Sequence, residues 1–272
     1  MRRLCLWSGC VALFTAYACG SPPLDPRKPT PGVFHFTVES FNVEAGKESD
    51  PATVAAVGAA DADIVCLQEA GGGWPDALRA AYSDRYAYQL YMPDPDGHPT
   101  GGFAVLSRYP VTDLGAKLDQ SGDWHFHPAW SLRVNAPGAT LDILQVHLRA
   151  VFSGQSNVVT SYLRVGADHL ASINDFTAQP ADPITLVLGD FNEEAGGEAV
   201  HKLEEDGFRD VLPLFRPGQP TWRHPSLANQ FNAAIDHVMF DAMLDPLDAR
   251  VLDKGNSDHM PLVASFELAQ DR

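Results

Sequence analysis

Apolar runs of strand length recur along the chain from Val33 to Leu268. Short unbroken apolar runs bounded by turn residues favour buried strands. The pattern predicts strands at Val33–Val43, Ile64–Leu67, Tyr86–Tyr91, Phe103–Ser107, Trp130–Val134, Leu141–His147, Ile184–Leu188, Ala234–Phe240, Ala249–Leu252 and Leu262–Leu268. Residues 135–138, Asn-Ala-Pro-Gly, predict a turn that joins two of these strands.

Helical segments separate the earlier strands. Pro51–Ala60 is rich in alanine and valine and follows Asp50, the expected cap. Trp74–Tyr82 is a second predicted helix, and Val158–Phe176, the longest helical pattern, has apolar residues on or near one face. Helices and strands alternate in the first part of the chain, and strands follow one another in the last part. Two packed sheets flanked by helices would account for both patterns. We therefore expect one domain over residues 33–268, followed by a short tail at residues 269–272.

The N-terminus has the pattern of an export signal. A basic start is followed by the uncharged apolar segment Leu4–Ala18, and Ala16-Tyr17-Ala18 fits a small-x-small cleavage site. We expect residues 1–18 to be a signal peptide and Cys19 to become the new N-terminus. That junction resembles a bacterial lipoprotein, so the expected location is an outer-membrane or periplasmic lipoprotein, or a secreted protein. A buried N-terminal helix is the remaining alternative.

Residues 19–32 are rich in proline and lack an apolar period, which predicts an extended tether. The chain has 4 cysteines, and none has zinc-ligand spacing with partner histidines. Cys66 lies in an apolar run, where a buried, inert thiol is expected. Nothing in the spacing indicates a disulfide framework.

Composition indicates a globular and strongly acidic protein. Hydrophobic residues make up 45% of the 272 residues and charged residues 20%, and the formal net charge is -16. Such a surface repels polyanions at long range, which argues against unassisted binding of nucleic acid. Bound divalent cations would cancel part of this charge, so the argument is not decisive.

Polar clusters stand where apolar strands end. Ile64–Leu67 runs into Gln68-Glu69, Ile184–Leu188 into Gly189-Asp190-Phe191-Asn192, Leu141–Val146 into His147, and Ile235 into Asp236. Strand ends on one rim of a sheet can converge on a single point. A buried run that stops at a carboxylate is costly unless the charge meets a cation or partner. These side chains, with Ser257-Asp258-His259, therefore predict one functional site.

The same pieces resemble the endonuclease/exonuclease/phosphatase superfamily, which includes DNase-I-like nucleases, abasic-site endonucleases, neutral sphingomyelinases and inositol-polyphosphate phosphatases. They occur in the order typical of that superfamily and are spread over most of the predicted domain, Val33 to Leu268. The matching pieces are residues 40–43, 63–69, 102–110, 146–148, 189–192, 235–237 and 257–261. The resemblance implies an α/β fold, a four-layer α/β sandwich in which two mixed β-sheets pack face to face between helices, with the site at one rim.

A divalent metal follows from the resemblance and from the ligand chemistry. Glu69 is the expected ligand, because a hard oxygen donor suits Mg²⁺ or Mn²⁺, with Ca²⁺ a further possibility. Asn42 would add an amide oxygen to the metal or hold the phosphate. Asp258 is a second carboxylate that could serve the metal.

The remaining residues are assigned to the reaction itself. Asp190 and Asn192 would position the attacking water, and His259 would act as general base or acid. Asp236 would fix the tautomer of His259. His147 would donate to a phosphate oxygen, as would Asn192, and stabilise charge in the transition state.

Five residues depart from the superfamily pattern or have a role that stays open. Glu44 is either a further metal-shell acid or a solvated charge, and Arg149 is either a phosphate clamp or a surface residue. Relatives often carry an arginine before the central strand pair, where this chain has His125 and His127. Arg108 is expected to be structural.

The leading hypothesis is an exported phosphodiesterase that acts as a monomer, with nucleic acid the commonest substrate of the resembling group. A sphingomyelinase-like lipid phosphodiesterase or a phosphomonoesterase is the second hypothesis. A non-catalytic binding protein of the same fold is the third, and the presence of the whole set of site residues argues against it.

Overall fold

The protein folds as two six-stranded β-sheets packed face to face between helices. The structure is a computed structural model that describes residues 22–94, 97–98, 100–117, 129–150, 158–178, 184–223 and 232–270, without the side chains of residues 158–163. The predicted signal peptide, Cys19, His125 and His127 lie outside these residues.

Each sheet is mixed. The first contains, in spatial order, β13 (Leu244–Val251), β14 (Leu262–Leu268), β1 (His35–Asn42), β2 (Ile64–Gln68), β4 (Phe103–Ser107) and β3 (Tyr88–Met92). The second contains β5 (Val111–Lys117), β6 (Ala129–Ala136), β7 (Ala139–His147), β8 (Leu186–Asp190), β12 (Asp236–Phe240) and β9 (Arg209–Asp210). A small pair, β10 (Trp222–Arg223) and β11 (Asn232–Ala233), stands apart.

Three apolar clusters separate four layers, as the resemblance implied. The largest fills the space between the two sheets. The second lies between the first sheet and the helices α1 (Pro51–Ala56) and α2 (Trp74–Tyr82). The third lies between the second sheet and the helices α3 (Val158–Thr177) and α4 (Glu198–Glu205). A short helix, α5 (Val211–Phe215), packs at the end of the sandwich against β12 and β13.

One parallel pair in each sheet brings strand ends to a common rim. β1 pairs parallel with β2 after the α1 crossover, and β7 pairs parallel with β8 after the α3 crossover. The ends of parallel strands meet at one edge of their sheet. Since β12 and β14 run antiparallel to these strands, their starts reach the same rim.

Gly189 allows β7 and β8 to approach closely. Its φ is +144°, and a Cβ there would lie 1.9 Å from the carbonyl oxygen of Val146. Only glycine fits this backbone and this distance. The strand end that carries Asp190 therefore depends on the absence of a side chain one residue earlier.

Most predicted elements are confirmed, with shifted ends. Trp74–Tyr82, Phe103–Ser107 and Leu262–Leu268 match their predictions. The first helix ends at Ala56 rather than Ala60, because residues 57–60 form turns, and its predicted cap is confirmed by the bond from Thr53 N to Asp50 Oδ2. The buried Cys66 is a free thiol, and its burial raises its pKa.

The proline-rich segment lies along the domain where the structure describes it. Leu24 N donates to Leu214 O at 2.7 Å, and Arg27 N donates to Leu247 O at 2.9 Å. The Arg27 guanidinium also pairs with Glu267. From Leu24 onward, the predicted tether is thus bound to the sandwich at the end where β1 starts. Among the described helices, none is long and apolar enough to cross a membrane.

Candidate active site

The predicted site residues meet at the rim formed by the strand ends. Asn42 ends β1, and Glu69 directly follows β2. In the second sheet, His147 pairs with Asp190 in the β7–β8 register, and Asp190 pairs with Asp236 in the β8–β12 register. Each sheet therefore contributes part of one site, as the positions of the polar clusters predicted.

His259 is held between two buried carboxylates. Its Nδ1 contacts Asp236 Oδ2 at 2.9 Å, and its Nε2 lies 3.4 Å from Asp190 Oδ2. Burial lowers the pKa of His259, but the charges of Asp236 and Asp190 outweigh burial and raise it to about 10. The ring is therefore protonated at neutral pH, with Nε2 directed at Asp190.

Asn42 links the two sheets under the site. Its Nδ2 donates to Asp190 Oδ2 at 3.0 Å and to Glu69 Oε1 at 3.2 Å. Its Oδ1 accepts a hydrogen bond from Glu44 N at 3.1 Å. The amide oxygen predicted as a metal ligand thus faces the backbone, because only the amide nitrogen can donate to two carboxylates. Asn42 holds the acids in place here.

Glu69 stands on a strained backbone at the end of β2. Its φ is +56°, a left-handed conformation that is uncommon outside glycine. Ala45 N donates to Glu69 Oε2 at 2.9 Å and fixes the carboxylate. Burial and the nearby Asp258 raise the pKa of Glu69, against the hydrogen bonds that lower it. Burial thus outweighs both these hydrogen bonds and the positive charge of His259, which also lowers the pKa.

Glu44 belongs to the same acidic group. Its Oε2 accepts from Asp258 N at 3.1 Å, and partial burial and Asp258 raise its pKa. Lys47 Nζ lies 3.7 Å from the other oxygen of Glu44. Of the two interpretations left open, the structure favours an acid at the rim of the site over a remote solvated charge.

The turn after β8 fixes the orientation of the Asp190 carboxylate. Asn192 has φ +51°, which asparagine tolerates better than most residues. Its N donates to Asp190 Oδ1 at 2.8 Å, and its Nδ2 donates to Leu148 O at 2.9 Å. Burial is the main cause that raises the pKa of Asp190. Its carboxylate is thus oriented by its own turn and is prepared to accept a proton.

His147, the last residue of β7, and Arg149, two residues later, have different surroundings. His147 Nε2 lies 3.5 Å from Asp190 Oδ2 and 4.0 Å from Glu69 Oε1, and burial lowers its pKa. Arg149 is 9% exposed, and its guanidinium pairs with Asp168 Oδ2 of α3 at 2.9 Å. Arg149 does not line the cleft, so the phosphate clamp predicted there finds no support in this arrangement.

A cleft of about 360 Å³ opens over these residues. The polar residues of its lining are Glu69, His147, Asp190, Asn192, Asp258 and His259, and the others are Ala150, Trp222, Ala233 and Ile235. The polar groups can thus hold a phosphate and its water, and the apolar side chains can contact an apolar part of a substrate.

The chain matches a family model over most of its length. A model of the Endonuclease/Exonuclease/phosphatase family covers residues 40–259, a range that runs from the end of β1 to His259. The chain belongs to this family. Its members are hydrolases that act on phosphate esters. A comparison with curated protein sequences gives no significant match.

Solved structures of several activities share the fold of this family member. An AP endonuclease from Archaeoglobus fulgidus is 17% identical, with TM-score 0.64 over 84% of this chain and 98% of that one. Sphingomyelinase C from Streptomyces griseocarneus is 19% identical, with TM-score 0.59 over 85% and 99%. A 3′ phosphatase from Neisseria, solved with a product DNA hairpin, is 18% identical, with TM-score 0.61 over 84% and 98%. At these identities the likeness establishes the fold alone.

The site of this family member has the chemistry of a divalent-cation site. Carboxylates of Glu44, Glu69, Asp190, Asp236 and Asp258 gather at the rim, and burial raises the pKa of three of them. Potential ligand atoms of Asp190, Asp236 and His259 lie within 4.8 Å of one another. Since Asp236 and His259 already bind each other, the oxygens of Glu69 and Asp258 fit a hard cation better.

The sequence analysis did not identify Thr221 and Trp222, which hydrogen-bond to the backbone of Asp236 and to the carboxylate of Asp258. Thr221 is fully buried, and its Oγ1 accepts from both Ile235 N and Asp236 N at 3.0 Å. Trp222 Nε1 donates to Asp258 Oδ2 at 2.9 Å. These residues lie in or beside a two-residue strand, which is too short to leave a pattern. The signal available in the sequence was the type of side chain, since a hydroxyl and an indole N–H can form hydrogen bonds around buried acids.

Proposed function

We propose that the protein is a divalent-metal-dependent phosphodiesterase that hydrolyses its substrate by direct attack of water. One observation carries the proposal: His259, bound to Asp236, faces Asp190 inside the cleft that also contains Glu69 and Asp258. A proton donor, a proton acceptor and a group of cation-binding oxygens thus surround one space. These are the elements that hydrolysis of a phosphate ester needs.

The proton transfers follow from the geometry. Asp190 accepts a proton from the attacking water, since burial raises its pKa and Asn192 N orients its carboxylate. His259 Nε2 donates its proton to the leaving oxygen, and Asp236 stabilises the imidazolium before transfer. His147 donates a hydrogen bond to a phosphate oxygen and stabilises the growing charge. Water supplies one proton and the leaving alkoxide receives one, so the reaction balances.

Glu69 and Asp258 would hold the cation, and Mg²⁺ or Mn²⁺ suits their oxygens, with Ca²⁺ a third candidate. When bound, the cation neutralises phosphate charge and polarises the phosphorus–oxygen bond. Glu69→Gln should weaken Mn²⁺ binding at least tenfold and remove most activity, with the melting temperature unchanged or raised, because the buried charge is lost. Calorimetric titration measures the affinity, and Glu48→Gln, outside the cleft, is the control. Equal Mn²⁺ affinity in Glu69→Gln would contradict this assignment.

Nucleic acid is the proposed substrate class, and the protein is proposed to be exported through its N-terminal signal. The names of the structural neighbours include nucleic-acid enzymes, which supports the first point. A lipid phosphodiester is the second candidate, because apolar side chains contribute to the lining of the cleft and a sphingomyelinase shares the fold. The net charge of -16 repels a polyanionic substrate, and bound divalent cations would reduce that repulsion.

One panel of assays tests the function. Metal-stripped protein is given plasmid DNA, bis-p-nitrophenyl phosphate, sphingomyelin or p-nitrophenyl phosphate, each with EDTA or with Mg²⁺, Mn²⁺ or Ca²⁺. Nicking of plasmid that a metal restores supports the nuclease proposal. Cleavage of the lipid with intact plasmid replaces the substrate and keeps the mechanism. Silence on all four substrates would overturn the proposed activity.

A further inference from the structure

A polar layer separates the apolar core from the catalytic cleft. We use this name for Ser40, Gln68 and Gln145, all of them fully buried. Ser40 lies two residues before Asn42 on β1, and Gln68 on β2 pairs with Asn42. Gln145 lies two residues before His147 on β7. The three side chains thus stand directly beneath the site, where the space between the sheets is otherwise filled by aliphatic and aromatic side chains.

Gln145 joins the two sheets across this space. In its own sheet it pairs with Trp130 on one side and with Leu188 on the other, two members of the apolar core. Its Nε2 donates to the carbonyl oxygen of Leu67, on β2 of the other sheet, at 2.7 Å. A buried hydrogen bond of good length between two sheets fixes their separation at that point far more tightly than apolar contact does.

The bond spans the two strand ends that carry site residues. Leu67 lies two residues before Glu69, and Gln145 lies two residues before His147. Glu69 Oε1 and His147 Nε2 are 4.0 Å apart. We propose that Gln145 is a positioning residue: it sets the distance between the metal-binding carboxylate of Glu69 and the phosphate-binding ring of His147. Gln145 touches neither group, and it acts through the backbone of β2 and β7.

The polar layer opposes folding, which supports a role in the site. Among the described residues, nothing donates to Gln145 Oε1 or Gln68 Oε1, and Ser40 Oγ has no partner. The amide of Gln145 cannot turn around, because its oxygen would then face the oxygen of Leu67. Buried polar atoms without partners destabilise a fold, so an apolar side chain would serve the core better at position 145.

Gln145→Met tests the proposal, because methionine has a similar length and no amide. The apo protein should stay folded with little change in melting temperature, because the unsatisfied Gln145 Oε1 is removed while Leu67 O loses one donor, and these two changes oppose each other. Affinity for Mn²⁺, measured by calorimetry without substrate, should fall about tenfold, as it does when groups that orient metal ligands are lost. The kcat for bis-p-nitrophenyl phosphate should fall as well. A merely structural role would instead lower the melting temperature and leave the Mn²⁺ affinity unchanged.

Ser40→Ala is the matched control, because it removes a buried polar atom from the same layer without touching the bond between the sheets. It should leave Mn²⁺ affinity and kcat unchanged. If Gln145→Met does not fold, Gln145→Asn keeps the amide but is one methylene too short to reach Leu67, and the same loss of affinity is expected. Wild-type Mn²⁺ affinity in the folded Gln145 variants would overturn the proposal.

The rate comparison rests on the proposed function, whereas the metal titration does not. A wild-type protein that binds Mn²⁺ and hydrolyses none of the four substrates would overturn the proposed activity, and the titration would still decide the role of Gln145. A wild-type protein that binds no divalent cation would overturn both proposals.

Discussion

At the scale of single residues, His259 decides the chemistry of the site. Both of its ring nitrogens face carboxylates, and these charges raise its pKa to about 10 despite complete burial. Thr221 in turn holds the backbone of Asp236 with one hydroxyl group. The proposed proton donor is therefore positioned by Asp236 and Thr221, two residues that take no direct part in the proposed bond changes.

Asp236→Asn should lower kcat by about 10²–10⁴ and leave the fold intact, because His259 loses the partner that fixes its tautomer and its charge. Steady-state assays with bis-p-nitrophenyl phosphate measure the change. Asp241→Asn, the same substitution just past the other end of β12, is the control and should keep wild-type kcat. A small effect at position 236 would mean that Asp236 does not act through His259.

At the scale of secondary structure, the close approach of β7 and β8 forms the floor of the site. Gly189→Ala would place a Cβ 1.9 Å from Val146 O on a backbone with φ +144°. We expect a loss of about 3 kcal/mol or more in unfolding free energy, a drop in melting temperature of roughly 10 °C. Differential scanning calorimetry measures it. Gly196→Ala, which meets no atom within 4 Å, should change little; equal melting temperatures would refute the steric argument.

The elements that the sequence predicts are those with unbroken apolar runs. β2, β4 and β8 are buried along their whole length and were found for that reason. β5 was missed because it is an edge strand, mostly exposed, with a register shift before Gly115. α4 was missed because its mostly polar exposed face leaves few apolar positions, and α5 because it is short and contains Pro213.

The place where the site residues meet was predictable from the sequence, whereas their roles stay predictions. Carboxylates that interrupt buried strands stand out in a sequence, so Glu69, Asp190 and Asp236 were found. The choice between a phosphate clamp and a surface residue at Arg149 was left open, because its partner Asp168 lies on a helix that a sequence cannot place against it. The orientation of the Asn42 amide depends on Glu44 N, which is a detail of turn geometry.

At the scale of the whole molecule, buried charge makes stability depend on pH. His237 lies against Asp210 at 2.7 Å, and its second ring nitrogen faces Glu193 O. Burial lowers the pKa of His237, but Asp210 outweighs it and raises the pKa from 6.5 to about 9. A raised pKa in the folded state stabilises the protein fully below the unfolded value, and this stabilisation is lost as the pH rises through about 9.

Unfolding free energy should therefore fall between about pH 6 and about pH 10, with His237 contributing about 3 kcal/mol of the fall and His259, whose pKa is raised to about 10, adding to it. Urea titrations across this range measure the change. Asp210→Asn should be less stable at the acidic end and show a flatter profile, because the ion pair is absent at every pH. A wild-type slope in that variant would assign the pH dependence to other groups.

The net charge of -16 predicts how the enzyme responds to salt. Screening of a repulsive field should raise the rate with plasmid DNA severalfold between about 20 mM and about 200 mM monovalent salt, at fixed divalent ion. Bis-p-nitrophenyl phosphate, a small monoanion, should respond weakly. Nucleic-acid enzymes with basic surfaces lose affinity as salt rises. A fall in the plasmid rate would show that the cleft, not the overall charge, governs approach.

The N-terminal segment bound to the domain also determines which end of the domain is joined to the preceding residues. Leu24 and Arg27 are fixed where β1 begins, and β1 then runs eight residues, roughly 25 Å, to the rim that carries the cleft. The N-terminal segment thus joins the domain at the end opposite the cleft. A lipid, a linker or a solid support attached through the N-terminus would therefore hold the domain at that end, and the cleft would face away from the point of attachment.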